Sequence, residues 1–303
     1  MTRSLSYHLL DVFTDRRFAG NPLAVVELDA PLRDAEMQDV AREFNLSETV
    51  FLSEPRDSTN SGRIRIFTPK RELPFAGHPT IGAAALLAEQ RAGELLSRHG
   101  IVVALEAQIG VLRCEALRGF GKATYVEVTP PFTPQRHDGA PSAAALATAL
   151  SLSVEDIGFG AHVPVVYAAG PAFVFVPLRS REVLDRARRS PDAFSAALGA
   201  AVGAYLYTRE TVDTACAINA RMFANGVGID EDPATGAAAA AFAGVALEFE
   251  RPADGEHQLF IEQGHAMGRP SRITLRMAVE NRELTRIALG GQVVRVGQGR
   301  LFI

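Results

Sequence analysis

At 303 residues, with 47% hydrophobic and 22% charged residues and a formal net charge of -4, the chain has the composition of a soluble globular protein and gives no electrostatic reason for a nucleic-acid partner. No window reaches the ~18 apolar residues of a membrane span, and the first residues lack a signal-peptide pattern, so a cytoplasmic protein without membrane contact is expected. Cys114 and Cys216 are too few for a disulfide framework and belong to no CxxC or His/Cys cluster, which argues against a structural metal.

The apolar run Tyr7 to Phe13, a turn at Gly20-Asn21-Pro22 and the run Leu23 to Leu28 read as a hairpin. Arg33 to Phe44 follows at helical spacing, with Asp34 suited to the positive end of the dipole. Thr49 to Leu52 and Arg63 to Phe67 read as strands, and Pro79 to Glu89 as a helix rich in Ala and Leu. Strands follow at Val102 to Leu105, Val111 to Ala116 and Thr124 to Val128, and the proline-rich stretch Thr129 to Pro134 cannot continue a sheet interior.

The second half alternates in the same way: a helix at Ser142 to Ala149, strands at Val163 to Ala168 and Phe173 to Val176, and helices at Arg181 to Arg188 and Pro191 to Leu198. Strands at Ala204 to Thr208 and Ala215 to Phe223 precede an alanine-rich helix from about Ala237 to Glu248. Four further strands are predicted at Ile273 to Met277, Thr285 to Leu289, Val293 to Val296 and Leu301 to Ile303. The length exceeds the ~100–200 residues of a common domain, so two lobes with a cleft between them are expected. The break near 118–135 places them at 1–120 and 121–284, with strands at about 285–303 returning to the first.

Comparison of the halves reveals a repeat. Arg65-Ile66-Phe67 precedes Glu72-Leu73-Pro74-Phe75-Ala76-Gly77, and Arg221-Met222-Phe223 precedes Glu231-Asp232-Pro233-Ala234-Thr235-Gly236. Each copy reads strand, loop, Glu-x-Pro-x-x-Gly, alanine-rich helix, a pattern that suggests duplication, although ordinary helix starts also attract acids and Pro. A helix starting after Gly77 or Gly236 presents N–H groups and an effective charge of about +0.5, and the glycine lets a ligand approach the backbone. Two such ends suit a carboxylate or an enolate-like intermediate and need no cation cofactor.

In these blocks and others the chain resembles the phenazine-biosynthesis PhzF-like isomerases, which share the diaminopimelate epimerase-like fold. The resemblance runs almost end to end, through Phe18-Ala19-Gly20-Asn21-Pro22-Leu23-Ala24-Val25, Asn45-Leu46-Ser47-Glu48, Ile64-Arg65-Ile66-Phe67-Thr68-Pro69 and Glu72 to Thr80. It continues through Glu231-Asp232-Pro233-Ala234-Thr235-Gly236, Gln263-Gly264 and Gly268-Arg269-Pro270-Ser271. It implies an α+β fold of two pseudo-symmetric lobes, each a mostly antiparallel sheet wrapped around a central helix, and a homodimer. It also implies an isomerase that moves a proton between carbons of a small anionic metabolite, with Glu48 as the base and His78 and Asp232 assisting. Asn21, Gly77, Gly236 and Ala237 are the substrate-binding candidates. No metal, nicotinamide or flavin is implied, and no dinucleotide or Walker glycine pattern is present.

Each residue also has an ordinary reading. Glu48 before a strand is usually a solvated turn residue, and as a base it needs burial or a nearby negative charge to lift its pKa from ~4.3. His78 is otherwise a first-turn residue, Asp232 a cap, Asn21 a turn residue and Arg269 a surface arginine. Where phenazine-producing members carry a serine, this chain has Ala237, and a missing donor of about 1–4 kcal/mol argues against the phenazine precursor itself as substrate. Two alternatives stand beside the isomerase: a two-base racemase or epimerase and a non-catalytic binding protein. Cysteine-dependent racemases place a thiolate at each helix start, where this chain has Gly77-His78 and Gly236-Ala237.

Overall fold

The computed structural model describes residues 3–226 and 228–303. Two compact units divide the chain: the first runs to Thr129 and includes Gly290–Ile303, and the second is Pro130–Leu289. The fold is rich in sheet, with 41% strand and 24% helix.

The first unit is built from β1 (Ser4–Val12), β2 (Asn21–Leu28), α1 (Asp34–Phe44), β3 (Glu48–Ser53), β4 (Gly62–Phe67), β5 (Glu72–Leu73), α2 (Gly77–Ala92), β6 (Ile101–Ala107), β7 (Gly110–Arg118) and β8 (Thr124–Val128). Pairing runs β1–β2–β3–β4–β6–β7–β8, parallel at β2–β3 and β4–β6 and antiparallel elsewhere. The short β5 shares the β6 edge of β4, pairing Phe67 with Glu72. Every residue of α2 from Gly77 to Ala88 is buried, and the helix touches β1 to β4 and β6 to β8. A helix of Gly, Ala, Ile and Leu that is apolar on all sides has to be enclosed in this way.

The second unit comprises β9 (Gln135–His137), α3 (Ala143–Leu150), β10 (Val165–Ala168), β11 (Ala172–Pro177), α4 (Arg181–Arg186), α5 (Pro191–Leu198), β12 (Gly203–Thr208), β13 (Ile218–Ala224), β14 (Glu231–Asp232), α6 (Gly236–Glu250), β15 (Gly255–Gln263) and β16 (Ser271–Glu280). Pairing runs β9–β10–β11–β12–β13–β15–β16, parallel at β11–β12 and β13–β15. The short β14 shares the β15 edge of β13, pairing Phe223 with Glu231. Its helix α6 touches β9, β10, β11 and β16 and is buried at 236 and 238–246. A further core of Leu146, Val174, Leu184, Phe194, Leu206 and Phe223 fills the space under α3 to α5. The last strand, β17 (Glu283–Phe302), pairs with β1 and β8 and closes the strands of the first unit into a ring.

Several sequence-based expectations are corrected. Asn21 and Pro22 open β2 instead of forming a turn, because the reversal is made earlier, at residues 13–20. Gly20 there has a φ of +67°, and a Cβ would meet the Val12 carbonyl at 2.4 Å, so only glycine fits. The three segments predicted after Thr285 form one strand, held by its register with β1. Strand β15 escapes the sequence reading because Gly255 to Gln258 are polar; its nine-residue pairing with β16 makes it a strand. Glu72-Leu73 and Glu231-Asp232, assigned no element by the sequence, are short strands. Cys216 precedes β13 and is not part of it. Among the described residues no helix is long and apolar enough to cross a membrane.

Candidate active site

In the first unit three predicted residues meet. Asn21 opens β2, Glu48 opens the parallel neighbour β3, and His78 lies in the first turn of α2. Asn21 Nδ2 donates to His78 Nδ1 at 3.4 Å, and His78 Nε2 lies 3.4 Å from Glu48 Oε2 without the alignment of a hydrogen bond. That separation would be an ion pair only with a protonated imidazole. Burial instead pushes the His78 pKa down to about 3, so the ring is neutral at ordinary pH. With Nδ1 accepting from Asn21, the ring proton belongs on Nε2, facing Glu48. The Glu48 side chain is 17% exposed, which corrects its reading as a solvated turn residue. Gly77 is buried at the helix start, and Ala76 before it provides no side-chain cap.

The second unit holds Asp232, Gly236 and Ala237 at the start of α6. Asp232 is 6% exposed and Gly236 is buried, while Ala237 is partly exposed. Thr235 precedes the helix but does not cap it: its hydroxyl donates to Asp232 Oδ2 at 2.6 Å. Gln263 closes the network, with Oε1 accepting from Thr235 N at 3.2 Å and Nε2 donating to the Asp232 carbonyl at 2.7 Å and to Thr235 Oγ1 at 3.1 Å. Ser271 Oγ donates to the Pro233 carbonyl. Gly264, with a φ of +83°, lies so close that a Cβ would meet that carbonyl at 2.7 Å. The roles of Thr235, Gln263 and Ser271 are absent from the sequence reading. Gln263 and Ser271 do stand in blocks that carry the family resemblance, but the strand that Gln263 ends was missed.

The same arginine clamp braces both helix starts. Arg65 donates through Nε and Nη2 to both oxygens of Glu72 at 2.7 and 2.6 Å and lies over the Phe67 ring. Arg221 grips Glu231 in the same two-pronged way at 2.8 and 2.9 Å over Phe223. A second matched pair lies behind them: Glu106 accepts from the N–H groups of Arg56 and Asp57, and Glu262 from those of Val212 and Asp213. The cysteines are at neither helix start, and burial raises their pKa values, Cys114 to about 12 and Cys216 to about 11.

A cavity of about 270 Å³ in the first unit is lined by Leu28, Leu32, Met37, Phe51, Arg63 and Arg65 among others. Asn21, Glu48 and His78 are not among its lining residues, and side-chain chemistry rather than this volume identifies the candidate site.

Comparison with known proteins agrees with the sequence blocks. The phenazine biosynthesis-like protein family matches residues 10–299. An uncharacterised isomerase of Mesorhizobium japonicum is 45% identical, over 98% of this chain and 99% of that protein. The trans-2,3-dihydro-3-hydroxyanthranilate isomerase of Pseudomonas aeruginosa is 32% identical over 98% and 99%. The crystal structure of a Bacillus anthracis phenazine biosynthesis protein of the PhzF family superposes with a TM-score of 0.87 at 25% identity, covering 99% of this chain and all of that one. The chain therefore belongs to the phenazine biosynthesis-like (PhzF) family, as an isomerase.

Proposed function

We propose that the protein is a cofactor-independent isomerase of a small unsaturated carboxylate, with Glu48 as the proton-transferring base. The observation that carries this reading is the line Asn21, His78, Glu48, in which a neutral imidazole rather than a cation faces the carboxylate. A cationic partner would weaken Glu48 as a base, whereas a neutral ring beside it brings no such charge. Glu48 takes a proton from an sp³ carbon beside a conjugated system, and the electron pair moves into that system. The carboxylic acid returns a proton to a distal carbon. The net change is an isomer, with no oxidant or reductant. Asp232 is proposed to assist in the same turnover, and the uncapped helix starts at Gly77 and Gly236 to favour the anionic substrate.

We further propose that the two units are pseudo-symmetric copies of one ancestral unit. The common order of pairing and the paired Arg–Glu clamps support this. The cysteine-dependent racemase reading is disfavoured by the raised thiol pKa values.

The test is proton–deuterium exchange followed by NMR in deuterated water, with trans-2,3-dihydro-3-hydroxyanthranilate and a panel of cyclic unsaturated acids. The native protein is expected to place deuterium on carbon of at least one compound, and Glu48→Gln to lose about 10²–10⁴ of that rate. Equal exchange in both proteins removes Glu48 as the base. Saturable binding without exchange across the panel favours the non-catalytic reading.

A further inference from the structure

Gln263 and Thr235 form a chain of hydrogen bonds whose direction is fixed by the backbone. The atom of the Gln263 amide that faces Thr235 N–H has to be the oxygen, and the atom that faces the Asp232 carbonyl has to be the nitrogen. Two independent backbone groups thus demand the same amide orientation. The second Nε2 hydrogen goes to Thr235 Oγ1, which therefore accepts. Its own hydrogen is left to donate to Asp232 Oδ2 at 2.6 Å, within the range of a hydroxyl bonded to an ionised carboxylate. Gln263 is wholly buried, and Thr235 and Asp232 are 8% and 6% exposed, so solvent does little to scramble the sequence of donors. Successive donors polarise one another in such a chain.

We propose that Thr235 and Gln263 are positioning residues that hold Asp232 as a hydrogen-bond acceptor, fixing its orientation and favouring its ionised form. The value of this to the reaction rests on the reading that Asp232 assists Glu48; the relay itself does not. The groups around Asp232 are consistent with an orienting role. Tyr205 on β12, wholly buried, interacts with it electrostatically, and that phenol is held neutral by burial and by the carboxylate. From β15 comes the uncharged Gln263, and Ser271, which opens β16, donates to the carbonyls of Pro233 and Arg269.

The experiment labels aspartate carboxyl carbons with ¹³C and follows the Asp232 signal, assigned by its loss in Asp232→Asn, against pH in the ligand-free protein. Thr235→Val keeps the shape and removes the hydroxyl. Its Asp232 titration is expected to move upward by on the order of one pH unit, while Thr235→Ser, which restores the donor, titrates like the native protein. Gln263→Met is expected to shift it in the same direction by less; should that variant not fold, Thr235→Val carries the test alone. An Asp232 titration in Thr235→Val that superposes on the native curve overturns the proposal. Deuterium exchange in the same variants separates the two ideas: a moved titration with an unmoved exchange rate and pH profile upholds the relay and removes Asp232 from the reaction.

Discussion

The starts of α2 and α6 are braced alike and furnished differently. Each follows a strand whose arginine grips a glutamate two-pronged over a phenylalanine ring, in the same register, Phe67 against Glu72 and Phe223 against Glu231. Around that shared brace the polar residues are divided. Glu48 opens β3 where the matching position of β12 is Gly203, judged by their partners Leu23 and Phe173. His78 is the second residue of α2, and Ala237 is the second of α6. The second unit has Asp232 where the first has Leu73, and Gln263 where the first has Ala107. The two units share a scaffold and differ in their titratable chemistry. Gly203 also leaves no room for a counterpart of Glu48, since a Cβ would meet the Phe223 carbonyl at 2.6 Å.

The two braces differ in how far solvent reaches them. The Arg221 side chain is 7% exposed and also donates to the carbonyls of Leu184, Asp185 and Ala187, whereas that of Arg65 is 24% exposed and reaches the exposed Asp34. Removing one partner of a buried pair strands the other charge, so Arg221→Met is expected to cost about 3–5 kcal/mol. Arg65→Met is expected to cost about 1–2 kcal/mol, because solvent can replace part of what Glu72 loses. Urea denaturation of the two variants measures the difference. Equal losses would mean that exposure does not decide what the shared brace is worth.

How much of this was visible in the sequence follows the same division. The Glu-x-Pro-x-x-Gly repeat was legible because its spacing is short and its helices are unusually rich in Ala, and the arginines, each two residues before its phenylalanine, came with it. Glu48, His78 and Asn21 were proposed from the family resemblance, and no local pattern joins residues on β2, β3 and α2 that meet only through parallel pairing. The relay from Gln263 to Asp232 was not legible: it bridges 31 positions and depends on a strand whose first four residues are polar. Asn21 failed as a turn residue for a related reason, since the preceding Phe18 and Gly20, both at positive φ, turn the chain before it.

A second pair of residues, one in each unit, bears on acid stability. His78 and His162 are buried histidines of different units, 4% and 7% exposed, and both have depressed pKa values, about 3 and about 4. Burial is the main cause in each, with the Arg209 charge added at His162. His162 stacks on Phe159 and bonds the Tyr207 hydroxyl at 2.9 Å, a satisfied place in a core, while His78 faces a carboxylate. Because the folded pKa lies below the unfolded value near 6.5, the unfolded chain takes up the proton first. Stability is thus full above about pH 6.5 and falls as the pH drops towards the folded pKa. For His78 the loss is of order 3 kcal/mol by pH 4. His78→Gln is expected to flatten the stability–pH curve between 6.5 and 4 without abolishing its slope, because His162 still contributes. Calorimetry at four or five pH values reads this directly, and an unchanged slope would mean that His78 is protonated in the folded protein.

The mildest substitution tests whether the division of labour is fixed at residue 237. Ala237 is partly exposed in the first turn of α6, so a hydroxyl there meets no packed core. Ala237→Ser is expected to change stability by no more than about 0.5 kcal/mol, the scale of a helix-propensity difference. Under the proposed function its effect on substrate choice is larger, because a donor beside an uncapped helix start would bond a developing negative charge. One such bond of about 1–3 kcal/mol changes the relative kcat/KM of two unsaturated acids by roughly 5- to 150-fold. Measuring deuterium incorporation across the acid panel for the native and Ala237→Ser proteins gives that ratio. A reordered preference at unchanged stability makes residue 237 part of the specificity wall and its methyl group the reason this chain selects a substrate that does not call for a hydroxyl. An unchanged order confines recognition to other residues and leaves the α6 start to act through Asp232 and its relay.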